Sequence, residues 1–255
     1  MLTQIVKHKD PKVLVVTPLW PGHKITRETR TTIKRNDVPF TWISFTGYNN
    51  IAENVNFGIQ EFKKTTKKFP PYILPLDRDI ILGRSMIDRL VQTIEQDGLP
   101  ATTAYCYCSF EFKGHVNRKF EAEPWNLDKL VQANYISSNS LMKSDLLEFI
   151  GGHVTDDQYK RLLDWALWLK FARLGFMGVP CTTTSFVAVS TEKDISAGTE
   201  DDYRQKHIRV VKDFVQPLLE DLKRPLAMSP MPVAPAQKKA VVQPSQQPSL
   251  VKVKY

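Results

Sequence analysis

The chain lacks any apolar run approaching the ~20 residues that span a bilayer, which sets aside a polytopic membrane protein and leaves peripheral contact open. Its start, MLTQIVKHKDPK, lacks the apolar core and small-residue cleavage site of a signal peptide, so the expected compartment is the cytoplasm. Cysteine is scarce, with three in 255 residues. Cys106 and Cys108 stand two apart in a strand-like alternation and Cys181 stands alone. No second pair or neighbouring histidine completes a zinc set, and the three are read as reduced thiols. No internal repeat is present.

Acid is absent from residues 225–255, which hold six prolines, no glycine, and Lys238, Lys239, Lys252 and Lys254. That stretch supplies half of the net charge of +8 and is expected to be a disordered Pro/Gln-rich tail. The remaining excess is too small to argue for nucleic acid by itself. The basic run EFKKTTKKF, residues 61–69, reads as a solvated helix end.

With 42% hydrophobic residues, the rest of the chain can bury one sizeable core. KVLVV, YILPL and the segment PFTWISFTGYNN read as strands, each followed by a stretch with helical apolar spacing. Strand, helix, strand, helix, strand, helix over the first hundred residues argues a mostly parallel sheet flanked by helices. Ligands of such sheets bind beyond the carboxyl ends of the strands. There the loops TPLWPG, TGYNN and LDRD converge. The second half adds a strand at ATTAYCYCSFEF, a connection through HVNRKFEAEPWN, a helix over DQYKRLLDWALWLKFARLG, a strand near FMGVPCTTTSFVAV, and a late helix running to Pro217.

Two features carry chemistry. Asp77 and Asp79 flank Arg78 at the end of an apolar strand, and carboxylates at i and i+2 of an extended segment face one side. Such a pair can hold a hard divalent cation with positions left for water and phosphate oxygens. The bland alternative is a salt-bridged turn. Asp164 sits in the middle of the LLDWALW helix, with Trp168 and Phe171 on its own side. Aromatic surface desolvates a carboxylate, raises its pKa and suits it to accept a proton. The alternative there is a surface acid paired with Lys160 or Lys170.

In this order and spacing the segments resemble the soluble, inverting glycosyltransferases of family 2, which have the GT-A fold. VVTPLWPG is similar to the family's first strand, NVNFGI to its Arg-Asn-x-Gly helix through Asn56 and Gly58, and LPLDRDI to its DxD strand end. NYISSNSLMKSDLLEFIGGH resembles the Asn-x-Ile strand and Gly-Gly turn, and LLDW the Glu-Asp-Trp segment. The resemblance covers about Lys12 to Cys181 and implies a metal-dependent inverting transfer from a nucleotide diphosphate sugar to an acceptor hydroxyl. It implies Asp164 as the general base, and Asp77 and Asp79 as holders of Mn²⁺ or Mg²⁺. Thr17, Pro18, Trp20, Gly47, Asn49, Asn56, Asp77 and Arg78 would contact the nucleotide sugar.

Departures from the pattern are local. No acid follows the second strand to read the base, leaving Thr46 or Asn49 for that contact and uridine, guanosine and thymidine donors all open. Val55 replaces the family arginine, so the diphosphate contact moves, to Arg78 or Arg84. Leu163 stands where the pattern has glutamate, and His153 where it has phenylalanine, in a core or turn role rather than a metal-binding one.

The expected organisation is an extension at 1–11, a single GT-A domain at 12–224 and the tail at 225–255. Residues 12–100 form the nucleotide-sugar half and 101–224 the acceptor half, where Trp125 would stack on an acceptor. The acceptor is a glycan, a lipid-linked sugar or, less favoured, a modified nucleobase in DNA. Two other classes remain open: a sugar-nucleotide nucleotidyltransferase, although TPLWPGHK has one glycine only, and a non-catalytic nucleic-acid-binding or degenerate transferase-like module.

Overall fold

A computed structural model describes residues 1–223 apart from 49, 116 and 191–198, so Asn49 and the tail at 225–255 lie outside the described residues. Residues 2–7, expected to precede the domain, instead form a strand, β1 (Leu2–Lys7). There follow β2 (Val13–Pro18), α1 (Arg27–Thr32), β3 (Phe40–Phe45), α2 (Ile51–Thr65), β4 (Tyr72–Pro75), β5 (Ile80–Leu82) and α3 (Met86–Ile94). The second half comprises β6 (Thr103–Gly114), β7 (Arg118–Phe120), α4 (Leu127–Leu130), β8 (Leu141–Lys143), α5 (Ser144–Phe149), α6 (Leu163–Arg173), β9 (Met177–Ser190), α7 (Glu200–Val210) and α8 (Gln216–Lys223).

The described strands make one nine-stranded sheet in the order β1-β3-β2-β4-β8-β6-β9-β5, with β7 paired to β6. The sheet is mixed. β2 runs parallel to β3 and β4, and β6 parallel to β9, whereas β1, β5, β7 and β8 pair antiparallel. The β-branched run of β2 explains its central place. All six of its residues are buried, and alternation sends Leu14 and Val16 into one hydrophobic layer and Val13 and Val15 into the other.

Helix α2 begins at Asn50, whose side chain accepts from the backbone N–H of Ala52 and Glu53. Behind α2, Gly58 lies so near the sheet that a Cβ would stand 3.1 Å from Val16 and Phe45. Helix α6 is shorter than the sequence pattern suggests. A 3₁₀ turn at Asp157–Tyr159 and a left-handed Arg161 (φ 79°) interrupt the chain, so the helix starts at Leu163. The late helix passes through Pro217 instead of stopping there. Pro217 has no N–H to give, and the preceding turn widens into a π-helix over Val211–Val215.

The Gly151–Gly152 turn closes α5 with both residues at left-handed φ, 79° and 80°. It presents His153 to α2, where Asn56 Oδ1 accepts from His153 N (2.9 Å) and Asn56 Nδ2 donates to His153 O (3.0 Å). Any Cβ on Gly152 would sit 2.8 Å from Asn56 Oδ1. Gly152→Ala is therefore expected to lose about 2 kcal/mol of stability, combining left-handed strain with the clash. Urea denaturation of the variant and wild type measures it, and an unchanged midpoint would mean that the turn relaxes freely.

Candidate functional site

A cavity of about 730 Å³ opens beyond the carboxyl ends of β2 and β4. Asn54, buried in α2, arranges one rim of it. The carboxamide donates to Leu19 O (3.3 Å) and Tyr48 O (2.8 Å) and accepts from Tyr48 N (3.0 Å), tying the loops after β2 and β3 to one helix. Pro18, Trp20 and His23 line the cavity from the first of these loops, and Asp77, Arg78 and Asp79 from the segment joining β4 to β5.

Asparagine side chains hold the two acidic centres. Asn139 donates through Nδ2 to Asp77 Oδ2 (3.0 Å), while its Oδ1 accepts from Asp77 N (2.8 Å). Five residues earlier, Asn134 Nδ2 donates to Asp164 Oδ2 (2.9 Å), and its Oδ1 accepts from Ile136 N (3.1 Å). One short segment thus connects the DRD turn to the start of α6. Helix α6 is fixed against the same region through Trp165 Nε1 to Leu130 O (2.7 Å) and Trp168 Nε1 to Ile136 O (3.0 Å). The sequence reading included Asn134 only as the first residue of the Asn-x-Ile resemblance, with no role given to it, and did not single out Asn139. Their signal was two carboxamides spaced by five in a polar stretch, NYISSN, between apolar segments.

Asp164 occupies the first turn of α6 rather than its middle. There the helix dipole favours a carboxylate, and Asp164 Oδ1 accepts from Trp165 N (2.8 Å). Even so, burial pushes its pKa from 3.8 up to about 6. The hydrogen bonds from Trp165 and Asn134 pull it down, and the Asp77 carboxylate nearby adds to the rise. Trp168 and Phe171 are wholly buried in the core, with the Trp168 N–H committed to Ile136.

The remaining candidates divide between cavity and scaffold. Arg78 lines the cavity with Nε 3.7 Å from Asp79 Oδ2 and Nη1 3.5 Å from Lys24 O. Thr17 is fully buried and accepts from Trp42 Nε1 (2.9 Å). Gly47 is exposed outside the cavity lining, and Asn56 is engaged with His153. His153 itself is buried neutral, its pKa lowered to about 4 by burial. Val55 is buried in the core, and Arg84 does not line the cavity. Trp125 donates to Tyr105 OH (3.0 Å) behind the sheet, and His207 stacks on Trp165 at 4.9 Å. Cys106, Cys108 and Cys181 are buried free cysteines.

Beside Asp79 an apolar wall follows from strand register. Leu82, Phe186, Phe110 and Phe120 are neighbours across β5, β9, β6 and β7, and Ile80, Ala188, Phe112 and Arg118 form the next row. Phe110 stacks on Phe120 (4.5 Å) and Phe186 (5.5 Å), and the Arg118 guanidinium lies 4.5 Å above Phe120. The row beginning at Ile80 leads directly from Asp79 to Arg118.

A segment between the 3₁₀ turn and α6 closes the cavity. Asn50 Nδ2 donates to Thr155 O (2.7 Å) and Asp157 Oδ1 (2.9 Å), and Tyr159 OH donates to Asp213 (2.8 Å). Left-handed Arg161, which costs about 1–2 kcal/mol of backbone strain, is held by Thr199 O (3.2 Å), Asp202 (3.7 Å) and the Tyr203 ring.

Among the described residues no three His, Cys, Asp or Glu side chains cluster as a metal centre. Asp77 and Asp79 are two carboxylates among the cavity-lining residues, a donor type that fits a hard divalent cation completing its shell with further oxygen ligands. No helix among the described residues is long and apolar enough to cross a membrane.

Solved structures share this architecture. A mannosyltransferase, PcManGT from Pyrobaculum calidifontis in complex with GDP-Man and Mn²⁺, is 14% identical over 84% of this chain and 69% of its own, with a TM-score of 0.53. TarS of S. aureus is 13% identical over 86% of this chain, with a TM-score of 0.51; the match spans 44% of TarS. The catalytic domain of Drosophila β1,4-galactosyltransferase 7, in complex with xylobiose, is 13% identical over 77% of this chain and 79% of its own, with a TM-score of 0.50. No family model matches the sequence, and neither does any curated protein. At these identities the likeness establishes a GT-A-type glycosyltransferase fold.

The Asp164 environment has a thermodynamic signature. A carboxyl whose pKa is raised in the fold contributes stability that is complete below its unfolded value of 3.8 and is lost as pH rises through about 6. Relative to Asp164→Asn, which has no such ionisation, wild type should lose about 1–2 kcal/mol between about pH 4.5 and about pH 7.5. Parallel urea titrations at both pH values, without divalent cations, measure this. A difference independent of pH would place the Asp164 carboxyl at an ordinary pKa.

Proposed function

We propose that this chain, built on a GT-A-type glycosyltransferase fold, moves a sugar from a nucleotide diphosphate donor to an acceptor hydroxyl with inversion at the anomeric carbon. The observation that carries this reading is the pairing of a desolvated carboxylate, Asp164, with the acids Asp77 and Asp79 on the walls of one cavity.

Pro18 and Trp20 bound the nucleoside end, and Asp77 and Asp79 are the residues that would hold Mn²⁺ or Mg²⁺. When bound, the metal supplies Lewis-acid stabilisation of the departing diphosphate. Asn139 orients Asp77 through both its backbone N–H and its carboxylate. Asp164, at a pKa of about 6, accepts the acceptor's proton as its oxygen attacks the anomeric carbon from the face opposite the diphosphate. Asn134 holds the Asp164 carboxylate toward that oxygen. One in-line displacement inverts the configuration. The acceptor's less polar face lies along Phe112, Ala188 and Val189, where the apolar wall meets the cavity. A glycan or another hydroxyl compound satisfies these requirements.

A panel of nucleotide sugars incubated with Mn²⁺ and mixed hydroxyl acceptors tests the reading through release of nucleoside diphosphate. Asp164→Asn should lower turnover by about 10²–10⁴-fold, the usual worth of a positioned base. Wild-type kcat/KM should fall as pH drops below about 6, because protonated Asp164 cannot accept the proton. Unchanged turnover in Asp164→Asn would remove Asp164 from the chemistry, and release of pyrophosphate instead of nucleoside diphosphate would point to nucleotidyl transfer.

A further inference from the structure

The cavity's acids are balanced by few available cations. Arg78 is drawn to Asp79 and Lys24 O, and Arg161 to Asp202, Thr199 O and the Tyr203 ring. Arg118 lies at the far end of the apolar wall, above Phe120. Helix α2 brings no cation to the cavity, because Val55 is buried in the core. A diphosphate in this cavity would therefore meet two aspartates with no cation yet assigned to it on the nucleoside side.

Lys160 stands where that cation is required. It lines the cavity, and among the described residues it makes no ion pair. Its ammonium lies 5.9 Å above the Trp20 ring, at the end of the cavity bounded by Pro18 and His23. Trp20 contributes a second donor: its indole Nε1 is buried and finds no acceptor among the described residues. Among the described residues the Lys160 ammonium forms no ion pair and the Trp20 indole N–H finds no acceptor. Buried donors are ordinarily satisfied, and the species that satisfies both a cation and a neutral donor is an anionic oxygen.

The backbone around Lys160 is anchored on both sides. Asn50 grips Asp157, Tyr159 is tied to Asp213, and the strained Arg161 is held by its side chain. The lysine is thus presented from a fixed segment, three residues before α6 begins at Leu163 and four before Asp164.

We propose that Lys160, with the Trp20 indole N–H beside it, binds a phosphate oxygen of the donor's nucleoside diphosphate and supplies the positive charge that α2 does not. This rests on the reading of the cavity as a nucleotide-sugar site. Lysine acts here as a flexible point charge, so its reach matters more than a fixed fork geometry. Because Lys160 immediately precedes the segment leading to Asp164, occupancy by the diphosphate also steadies the chain that carries the base.

Calorimetric titration with UDP, GDP and TDP, each with Mn²⁺, tests this without turnover. Lys160→Ala should bind the preferred nucleoside diphosphate at least about tenfold more weakly than wild type, a change of about 1.4 kcal/mol. Lys160→Arg should restore binding to within about threefold. Raising the salt concentration should weaken wild type more than Lys160→Ala, since the lost contact is ionic. Equal melting temperatures would show the variants folded, as expected for a side chain with no hydrogen bond or ion pair to lose. If wild type binds a nucleoside diphosphate and Lys160→Ala binds it equally well, the assignment of Lys160 is overturned. If wild type binds none of the three, the nucleotide-sugar reading itself fails, and the assignment with it.

Discussion

Two asparagine carboxamides set the distance between the acids on which the rest of the site depends. Asn139 clamps Asp77 through both its side-chain oxygen and nitrogen, and Asn134 presents an N–H to Asp164 while its oxygen is taken by Ile136. A carboxamide is neutral and offers both donor and acceptor. It can therefore orient a carboxylate without neutralising it. An arginine at either position would form an ion pair, lower the aspartate's basicity and compete with any metal. The site keeps its negative charge because its positioning groups carry none.

That choice has an electrostatic consequence at Asp164. Its carboxylate receives two hydrogen bonds and lies at a helix N-terminus, all of which favour ionisation, yet burial outweighs them. The balance leaves a carboxyl that is ionised near neutral pH and more basic than an exposed aspartate. Asp77 contributes to the same balance through the field between them. A positive charge bound at Asp77 would lessen that contribution, so the charge state of Asp77 and the basicity of Asp164 are linked through a shared field rather than through a moving part.

Much of the scaffold was legible in sequence because its signals are local. The β-branched run of β2, the apolar approach to Asp77 and the aromatic stripe of α6 each report burial within a few residues. What escaped depends on pairing at a distance. β1 is a strand because Phe40–Phe45 offers it an edge, and its own pattern of half-buried residues says little. Thr17, in the loop-facing end of β2, looks available to a ligand until Trp42 turns its indole N–H toward it. Asn56, similarly, is claimed by the turn at His153. Polar side chains near a strand end have two fates, ligand or scaffold, and only the partner across the fold selects between them.

The apolar wall carries the same lesson in the other direction. Phe110 and Phe120 lie on neighbouring strands and Phe186 far from both in sequence, and none stands out in a pattern of alternating strand residues. Register brings them side by side, because β6 pairs with β7 on one edge and β9 on the other. The adjoining row, Ile80–Ala188–Phe112–Arg118, then inherits its direction from the same pairing and runs outward from the acids. Ala188 is the small member between two larger ones, so the row dips beside Ile80. An antiparallel hairpin on an otherwise parallel pair thus gives the cavity one apolar flank and leaves its polar chemistry to the loops. The mixed topology is the reason the two kinds of surface lie side by side, since a wholly parallel sheet would bury both of its faces under helices.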